Sequence, residues 1–341
     1  MADDPRVCVL ALTSLLTVTV EDSVDGSVPE IHVHPGGQGL WLGRMAGVLG
    51  ARVVVCGPFG GETGAVVRHL AEREGLDLRA TRYDGANGAY VHDRRAGDAE
   101  AGDRREVATM DPTALGRHEL DDLFGTLLVE ALESDVVAVT GADPPSTVPA
   151  DFLARVARDL RRNGRRVVAD LSGDAALAVL AEGLDVLKMS HSEMVDAGLA
   201  EGPDLPQLLA GARAVLAGEH ADDAHADDAE GDDDDDEDRG RVGAMVVSRA
   251  AEGTLVVTRD GAWQVTAPPV STVDHRGAGD SLTAGIAVGL ARGLELLDAV
   301  RLGAAAGALN VTRRGLATGH RDQIERFVER IDAETVDEGA A

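Results

Sequence analysis

The stretch DHRGAGDSLTAG, residues 274 to 285, places three small residues directly before an acid and an apolar, helix-like pattern. We expect a strand to end at about Val270 to Val273 and a helix to begin at about Ala278. Small residues at a helix start leave backbone N–H groups unobstructed at the positive end of the helix, which favours an anion site. Asp280 would then lie in the first turn, beside the bound anion.

Two interpretations of Asp280 follow from this position. A carboxylate beside an anion is unfavourable unless it does chemistry, such as accepting a proton from an attacking hydroxyl. Alternatively, Asp280 complements the helix dipole, and Gly277 and Gly279 only form a tight turn. The stretch alone does not decide between them. The chain contains no GxxxxGK[ST] sequence, so a P-loop is not its phosphate-binding device.

Outward from this stretch, apolar runs alternate with helical patterns, which predicts βαβ units and a mostly parallel sheet. The predicted strands are Val7 to Leu12, Arg52 to Cys56, Val136 to Thr140, Arg166 to Leu171, Val186 to Lys188, Ala244 to Ser248, Thr254 to Thr258 and Trp263 to Ala267. The predicted helices are Gly39 to Leu49, Gly64 to Glu74, Arg117 to Leu132, Ala150 to Asn163, Asp174 to Glu182, Asp204 to Ala217, Ala278 to Arg292, Leu296 to Thr312 and Arg321 to Ile331. Thr17 to His34 and Arg82 to Thr109 interrupt the alternation and indicate a small second sheet.

Composition excludes several classes of protein. A net charge of -28 over 341 residues disfavours a nucleic-acid-binding face. There is no signal peptide and no apolar run of about 18 residues, so we expect a cytoplasmic protein that binds no membrane. The two cysteines, Cys8 and Cys56, lie in apolar runs without metal-ligand or disulfide spacing, and we interpret them as buried structural thiols.

Charged residues are distributed unevenly along the chain. Residues 219 to 238 hold thirteen acids and no basic residue other than His220 and His225, which predicts a disordered surface loop over about 219–241. Weak cation binding by this segment is the alternative. Lys188 is the single lysine against 31 arginines, which reflects either chance or a retained function.

Several short motifs follow one another along the chain, and their order is informative. They are HPGGQG at 34–39, GPFGGETG at 57–64, VTGADPP at 139–145, VVADLSGDAAL at 167–177, LKMSHSEM at 187–194, GAGDS at 277–281 and GALNVTRRGLATG at 307–319. In this order they resemble the motifs of the ribokinase-like PfkB carbohydrate kinases, most closely the fructose-1-phosphate and tagatose-6-phosphate kinase branch. GAGDS looks like the signature of that family, and the resemblance runs from about Val7 to Ile331.

The resemblance implies a ribokinase-like three-layer α/β/α fold with a mostly parallel sheet of about eight strands and a small β lid. It implies one kinase domain over 1–335, lid segments at about 17–35 and 82–110, and a tail at 336–341. A homodimer through the lid is an expected partner arrangement, alongside a sugar or sugar-phosphate substrate.

The resemblance also implies ATP and Mg²⁺ as cofactors. Asp280 would be the catalytic base, and the amides of Gly277, Ala278 and Gly279 would stabilise the transferred group. Glu193 would place Mg²⁺ through water. The other residues assigned to the nucleotide are Lys188, Ser190, Ser248, Gly253 and Asn310. Those assigned to the acceptor are Thr17, Gly36, Gly37, Gln38, Trp41, Arg82 and Arg276.

The departures from the family pattern fall mostly at the acceptor end. Thr17 stands where the branch carries an aspartate, Gln38 replaces a lysine, and Trp41 replaces a sugar-contacting asparagine. Trp41 either stacks on a sugar ring or fills the space of lost polar groups. His275 and Arg276 replace two small or hydroxyl residues.

Further departures and alternatives concern the nucleotide end and the arginines. Ser190 replaces the asparagine of a KPN motif, and Ala250 replaces a glycine in the nucleotide turn. Arg276 either points inward, toward transferred or acceptor phosphate, or is a solvated charge. Arg82 is either an acceptor-phosphate contact or a plain surface arginine.

The sequence is therefore compatible with two functions. The first is an active kinase for a sugar phosphate, an unphosphorylated sugar or a nucleoside. The second is a weakly catalytic regulatory protein that binds a sugar or a nucleotide. Retention of an acid at an anion site favours the kinase, because a scaffold without activity has no need of it.

Overall fold

The computed structural model describes residues 4–23, 26, 28–95, 105–219, 241–313 and 317–336. Its strands are β1 (Arg6–Leu10), β2 (Leu15–Asp22), β3 (Pro29–Gly36), β4 (Arg52–Phe59), β5 (Asp77–Arg82), β6 (Gly88–Asp93), β7 (Arg105–Met110), β8 (Val136–Thr140), β9 (Arg166–Asp170), β10 (Leu184–Ser190), β11 (Val242–Ser248), β12 (Thr254–Thr258), β13 (Ala262–Thr266) and β14 (Asp332–Thr335). Its helices are α1 (Gln38–Val48), α2 (Gly61–Arg73), α3 (Arg117–Leu132), α4 (Ala150–Arg162), α5 (Gly173–Leu180), α6 (His191–Asp196), α7 (Leu205–Ala217), α8 (Ala278–Ala291), α9 (Leu296–Asn310) and α10 (Arg321–Val328).

The large sheet has ten strands in the order β14-β13-β12-β11-β10-β9-β8-β1-β4-β5. The strands from β11 to β5 in that order run parallel, and β12, β13 and β14 extend one edge in antiparallel pairing. The expected mostly parallel sheet is confirmed, with ten strands rather than about eight. The carboxyl ends of β8, β9 and β10 lie side by side, so loops that follow them meet at one edge.

Both faces of this sheet are apolar, because side chains alternate between them along each strand. In β1, Cys8 and Leu10 belong to a core with α3, α4, α5 and α7, whereas Val7 and Val9 belong to a second core with α1, α8 and α9. The two cores give the three-layer α/β/α arrangement. The predicted buried thiols are confirmed, since Cys8 and Cys56 are free and fully buried.

A second, four-stranded sheet has the order β3-β2-β6-β7 and forms the lid. The pairing register aligns Thr17 of β2 with His34 of β3 and Tyr90 of β6. Thr17 and Thr19 are buried on one face, whereas Ile31 and Val33 are exposed. The lid therefore turns a polar face toward the molecule and an apolar face outward.

Some sequence predictions were wrong or incomplete. No strand ends near Val270 to Val273: β13 stops at Thr266, and the chain then runs without regular structure to α8, crossing Pro268 and Pro269, which do not suit strand pairing. Strands β5 and β14 and the short helix α6 were not predicted.

Three regions that the sequence singled out fall wholly or partly outside the described residues. They are most of the acidic segment (220–240), the centre of the second lid segment (96–104) and part of the GALNVTRRGLATG motif (314–316). The predicted tail falls there too, apart from its first residue. Within the described part of the chain, no helix combines the length and the apolar character that crossing a bilayer requires.

Candidate active site

The GAGD segment forms the first turn of α8. Gly277 is the N-cap residue with φ 72° and ψ 3°, a left-handed conformation that glycine adopts without a steric penalty. The amide and the hydroxyl of Ser281 both donate to the Gly277 carbonyl oxygen, at 2.9 and 2.6 Å. The amides of the first helical turn have no acceptor within the helix, so they can bind an anion here.

Asp280 lies in that turn and is buried, with 9% of its surface exposed. The pKa of its carboxyl is raised to about 7, first by burial and then by the nearby Asp170 carboxylate, while Lys188 opposes the shift. A carboxyl group with a pKa near neutrality can accept a proton under physiological conditions and release it afterwards. The raised pKa of Asp280 is compatible with the predicted acid–base role.

An ion pair lies beneath this turn. The Lys188 ammonium donates to both carboxylate oxygens of Asp170, at 3.0 and 3.1 Å, and both side chains are buried. Thr283 of α8 donates its hydroxyl to Asp170, at 2.7 Å. A side chain added at Gly279 would lie 3.0 Å from the Lys188 ammonium. The pair thus supports the GAGD turn directly from below.

The Lys188 ammonium remains charged in this setting. Burial by itself lowers the pKa of Lys188, but attraction to and hydrogen bonding with Asp170 outweigh burial, so that the pKa is raised. Lys188 therefore places a fixed positive charge under the amides of the turn. The single lysine of the chain is held at the site rather than on the surface.

The entry to α1 brings the acceptor-side glycines close to the sheet. A side chain at Gly37, whose φ is 107°, would lie 2.3 Å from the Thr13 carbonyl oxygen, and one at Gly36 would lie 2.6 Å from the Thr17 hydroxyl. Gln38 reaches across the carboxyl edge of the sheet and accepts a hydrogen bond from the Gly141 amide, at 3.2 Å.

Trp41, one turn into α1, is partly buried and packs against the apolar core. This packing agrees with the space-filling interpretation of the residue.

Several residues that the resemblance assigns to the nucleotide lie around the ends of β10 and β11. Ser190 caps α6 by accepting from the Glu193 amide at 3.2 Å, while the Glu193 carboxylate accepts from the Ser190 amide at 2.6 Å. Ser248 pairs with Ser190 across these strands. Gly253 has φ 89°, and a side chain there would lie 2.3 Å from a carbonyl oxygen, so the turn requires glycine. Ala250 in the same turn has φ 49°, a conformation unfavourable for alanine.

Asn310, at the end of α9, donates its side-chain amide to the Arg276 carbonyl oxygen at 2.8 Å. It is buried, and it fixes the backbone immediately before the GAGD turn. Arg276 itself points inward: its Nη1 donates to the Tyr90 hydroxyl of the lid at 3.1 Å. Next to it, Arg94 donates to Asp274 at 2.6 Å. These two contacts join the lid to the segment that precedes the GAGD turn.

Arg82 lies apart from the other candidate site residues. It ends β5 with 90% of its side chain exposed, and its closest ionic partner is Asp84, at 3.4 Å. The structure brings Asp280, Lys188, Gln38 and Arg276 to the edge between the large sheet and the lid.

Sequence reasoning missed several residues of this site, namely Asp170, Thr283, Tyr90, Arg94 and Asp274. Only Asp170 carried a signal, because it is an acid at the end of an otherwise apolar predicted strand, where ligands of parallel sheets bind. The others are joined by contacts between distant segments, such as Arg94 with Asp274.

Comparisons with known proteins agree with this geometry. The sequence profile described as "pfkB family carbohydrate kinase" matches residues 5–323. The chain is 31% identical over 336 residues to ATP-dependent 6-phosphofructokinase isozyme 2 of Mycobacterium tuberculosis, covering 95% of this chain and 89% of that protein. It is 25% identical over 303 residues to 1-phosphofructokinase of Bacillus subtilis, covering 87% and 86%.

Solved structures share the fold. Phosphofructokinase-2 from Escherichia coli in complex with fructose-6-phosphate superposes with a TM-score of 0.75 at 21% identity, covering 95% of this chain and 98% of that one. That protein also has a tetrameric inhibited form, so relatives assemble into oligomers. Ribokinase from Arabidopsis thaliana, complexed with ribose and ATP, gives a TM-score of 0.69 at 16% identity, covering 96% and 99%. The fold is ribokinase-like, as expected.

The relative of higher identity is a 6-phosphofructokinase, whereas the motifs had indicated the 1-phosphofructokinase branch. The family is the same in both cases. With its GAGD turn, its buried Asp280 and a family match over most of its length, this chain belongs to the pfkB family of carbohydrate kinases and is an ATP-binding kinase.

Proposed function

We propose that the protein transfers the γ-phosphoryl group of ATP to a hydroxyl of a sugar phosphate, with fructose 6-phosphate as the foremost candidate acceptor. One observation carries the proposal: Asp280, a buried carboxyl with a pKa of about 7, lies in the first turn of α8, whose backbone amides have no acceptor within the helix. The names of the M. tuberculosis and E. coli relatives support the choice of acceptor.

In the proposed reaction, the Asp280 carboxylate accepts the proton of the acceptor hydroxyl. The acceptor oxygen forms a bond to the γ-phosphorus as the bond to the β,γ-bridging oxygen breaks, and ADP leaves with that electron pair. The amides of Gly277, Ala278 and Gly279 donate to the transferred group, whose charge is spread over its oxygens. Lys188 adds positive charge beneath those amides.

The nucleotide would lie along the ends of β10 and β11. We assign Ser190, Ser248, Gly253 and Asn310 to its surroundings. Glu193 suits Mg²⁺ held through water, because this ion keeps several waters and needs only one or two carboxylates besides the phosphates of its substrate. Magnesium would neutralise charge on the phosphates when bound. The described residues contain no cluster of three acids, histidines or cysteines that could form a dedicated metal cage.

The acceptor would lie between the large sheet and the polar face of the lid. We assign Thr17, Gly36, Gly37 and Gln38 to this space, with Trp41 forming part of its wall. Thr17 and Gln38 are neutral at these positions, so hydrogen bonds rather than ionic contacts would hold the acceptor hydroxyls. Because the Arg82 side chain is exposed, any contact that it makes with the acceptor would lie at the outer rim of this space.

The apolar outer face of the lid supports a homodimer through this sheet. Ile31 is 68% exposed and Val33 41% exposed on adjacent positions of that face, a pattern that marks protein contact surfaces. The double substitution Ile31→Asp and Val33→Asp should convert a dimer to a monomer in sedimentation analysis. Val129→Asp, at a 63% exposed site on α3, is the control and should not.

The direct test is ADP release with a panel of acceptors: fructose 6-phosphate, fructose 1-phosphate, tagatose 6-phosphate, fructose and adenosine. Asp280→Asn should lower kcat by about 10²- to 10⁴-fold and leave ATP binding intact. Turnover that survives this substitution would contradict the role of Asp280. ATP or sugar binding without turnover of any acceptor would instead support the regulatory-protein alternative.

A further inference from the structure

Arg276 stands immediately before the GAGD turn, and its backbone is fixed on both sides. Its carbonyl oxygen accepts from Asn310 at 2.8 Å, and its amide donates to Asp274 at 3.2 Å. From this anchored position the side chain crosses to the lid, where its Nη1 donates to the Tyr90 hydroxyl at 3.1 Å. The guanidinium thus lies between the predicted anion site and the polar face of the lid.

One edge of this guanidinium is left without acceptors. Nε and Nη2 are both buried, and neither has a hydrogen-bond partner among the described residues. The nearest carboxylate oxygen to Nε, on Asp274, is 3.8 Å away, too far for a hydrogen bond. The other oxygen of Asp274 is taken by Arg94 at 2.6 Å. Buried donors without acceptors are costly, so this edge favours a ligand.

The residues around the Nε–Nη2 edge of Arg276 also favour a bound ligand. His92, on the same lid face, is 8% exposed, and its Nε2 is buried without a hydrogen-bond partner in the described part of the chain. Its ring lies edge-on to Tyr90, with centroids 4.2 Å apart. Asp274 accepts from Arg94 at 2.6 Å and lies 3.8 Å from Arg276, so this carboxylate offsets part of the positive charge here. A bound anion is therefore favoured by the Arg276 N–H donors that lack acceptors among the described residues, and not by excess positive charge.

We propose that the Nε–Nη2 edge of Arg276 binds a phosphoryl group in bidentate geometry. Adjacent N–H donors in a plane match two oxygens of a phosphate, and arginine in such a pair gives both energy and orientation. The inference rests on the proposed kinase function for the source of the group. That source is either the phosphate of the acceptor, on the lid side, or the γ-phosphoryl group of ATP, on the GAGD side.

Steady-state kinetics of Arg276→Gln distinguish the two sources. An acceptor phosphate predicts that KM for fructose 6-phosphate rises by about ten- to a hundredfold, with kcat nearly unchanged and fructose turnover unaffected. A γ-phosphoryl contact predicts that kcat falls by about 10²-fold or more with both acceptors. Arg155→Gln, at a half-exposed surface ion pair, is the matched control. If kcat and KM of Arg276→Gln stay within about twofold of wild type for every acceptor, even with a lowered Tm, then Arg276 has only a structural role. That result would overturn the proposal.

Binding of inorganic phosphate tests the edge without any turnover. Calorimetry should show affinity at least about tenfold weaker for Arg276→Gln than for the wild-type protein, and an intermediate loss for Arg276→Lys, which keeps the charge but not the planar pair of donors. Equal binding by all three proteins, or none by the wild type, would contradict the proposal. Should Arg276→Gln not fold, Arg276→Lys decides by the same comparison. A wild-type protein that binds phosphate through Arg276 yet phosphorylates no acceptor would refute the proposed function alone.

Discussion

The Lys188 ammonium lies 3.0 Å from one carboxylate oxygen of Asp170 and 3.1 Å from the other, so it is paired with a residue other than Asp280, the proposed base. If Lys188 were paired with Asp280 instead, attraction would hold the pKa of Asp280 low and make its carboxylate a poor base. Because Asp170 raises the pKa of Asp280 more than Lys188 lowers it, the Asp170–Lys188 pair places a positive charge at the site and still leaves the pKa of Asp280 raised.

The pH dependence of the reaction follows from the pKa of Asp280, which burial raises to about 7. The carboxyl must be deprotonated to act as a base, so kcat/KM should rise as pH increases through about 7 and level off above it. At pH 6 the rate should be about tenfold below the plateau. Initial rates from pH 5 to 9 measure this. The residual rate of Asp280→Asn should show no such inflection, and a midpoint near pH 4 in the wild type would contradict the assignment.

Substitutions in the ion pair should move that midpoint in opposite directions. Asp170 raises the pKa of Asp280 and Lys188 lowers it. Asp170→Asn should therefore shift the midpoint of the pH–rate profile downward, and Lys188→Met should shift it upward. Because general misfolding would not give opposite signs, shifts in the same direction would refute the account.

The stability of the same variants provides a second measurement. Each single substitution leaves a buried charge without its partner and should cost about 3–5 kcal/mol in urea unfolding. The double variant Asp170→Leu with Lys188→Met should recover much of that loss.

Ala250→Gly should stabilise the protein. Ala250 has φ 49°, a left-handed conformation that costs an L-residue about 1–2 kcal/mol. Glycine removes that cost but adds about 0.5–1 kcal/mol of backbone entropy to the unfolded chain, so the net gain is up to about 1 kcal/mol. Urea unfolding measures it. Ala251→Gly, the next residue in the same short 3₁₀ turn, lacks a positive φ and should destabilise the protein instead.

Gly285→Ala should lower both stability and activity. A side chain at Gly285 would lie 2.3 Å from the Cα atom of Gly303 and 2.5 Å from its nitrogen. Since both are backbone atoms, α8 must move away from α9, and Asp280 moves with it. We expect a loss of about 1–3 kcal/mol in unfolding free energy, with a fall in kcat. The control is Gly125→Ala at an exposed position of α3, where nothing lies within 4 Å and a gain of about 0.5–1 kcal/mol is expected.

The interior strands could be predicted because apolar runs bury both faces of a parallel strand. The two missed strands lie at the edges of the large sheet. In β5, Asp77, Arg79 and Arg82 interrupt the apolar pattern, and β14 (Asp332–Thr335) is exposed along its whole length. Edge strands need little apolar sequence because one side is unpaired, so periodicity does not reveal them.

The candidate site also has one part that the sequence predicts and another that it does not. Asp280 and the three residues before it could be predicted because their spacing is local and their chemistry is set within one helical turn. The contacts of Arg276 with Tyr90 and of Arg94 with Asp274 join segments about 180 residues apart. No local pattern specifies such a pair, because it depends on how the lid docks on the large sheet.

The burial of Lys188 also determines how this protein can be handled chemically. It is the single lysine of the sequence, and 93% of its side chain is covered. Within the described residues, amine-reactive reagents therefore find no accessible ε-amine, and Lys188 should resist acylation in the native state. Slow acylation of Lys188 would then measure how often local opening exposes the interior beneath the GAGD turn.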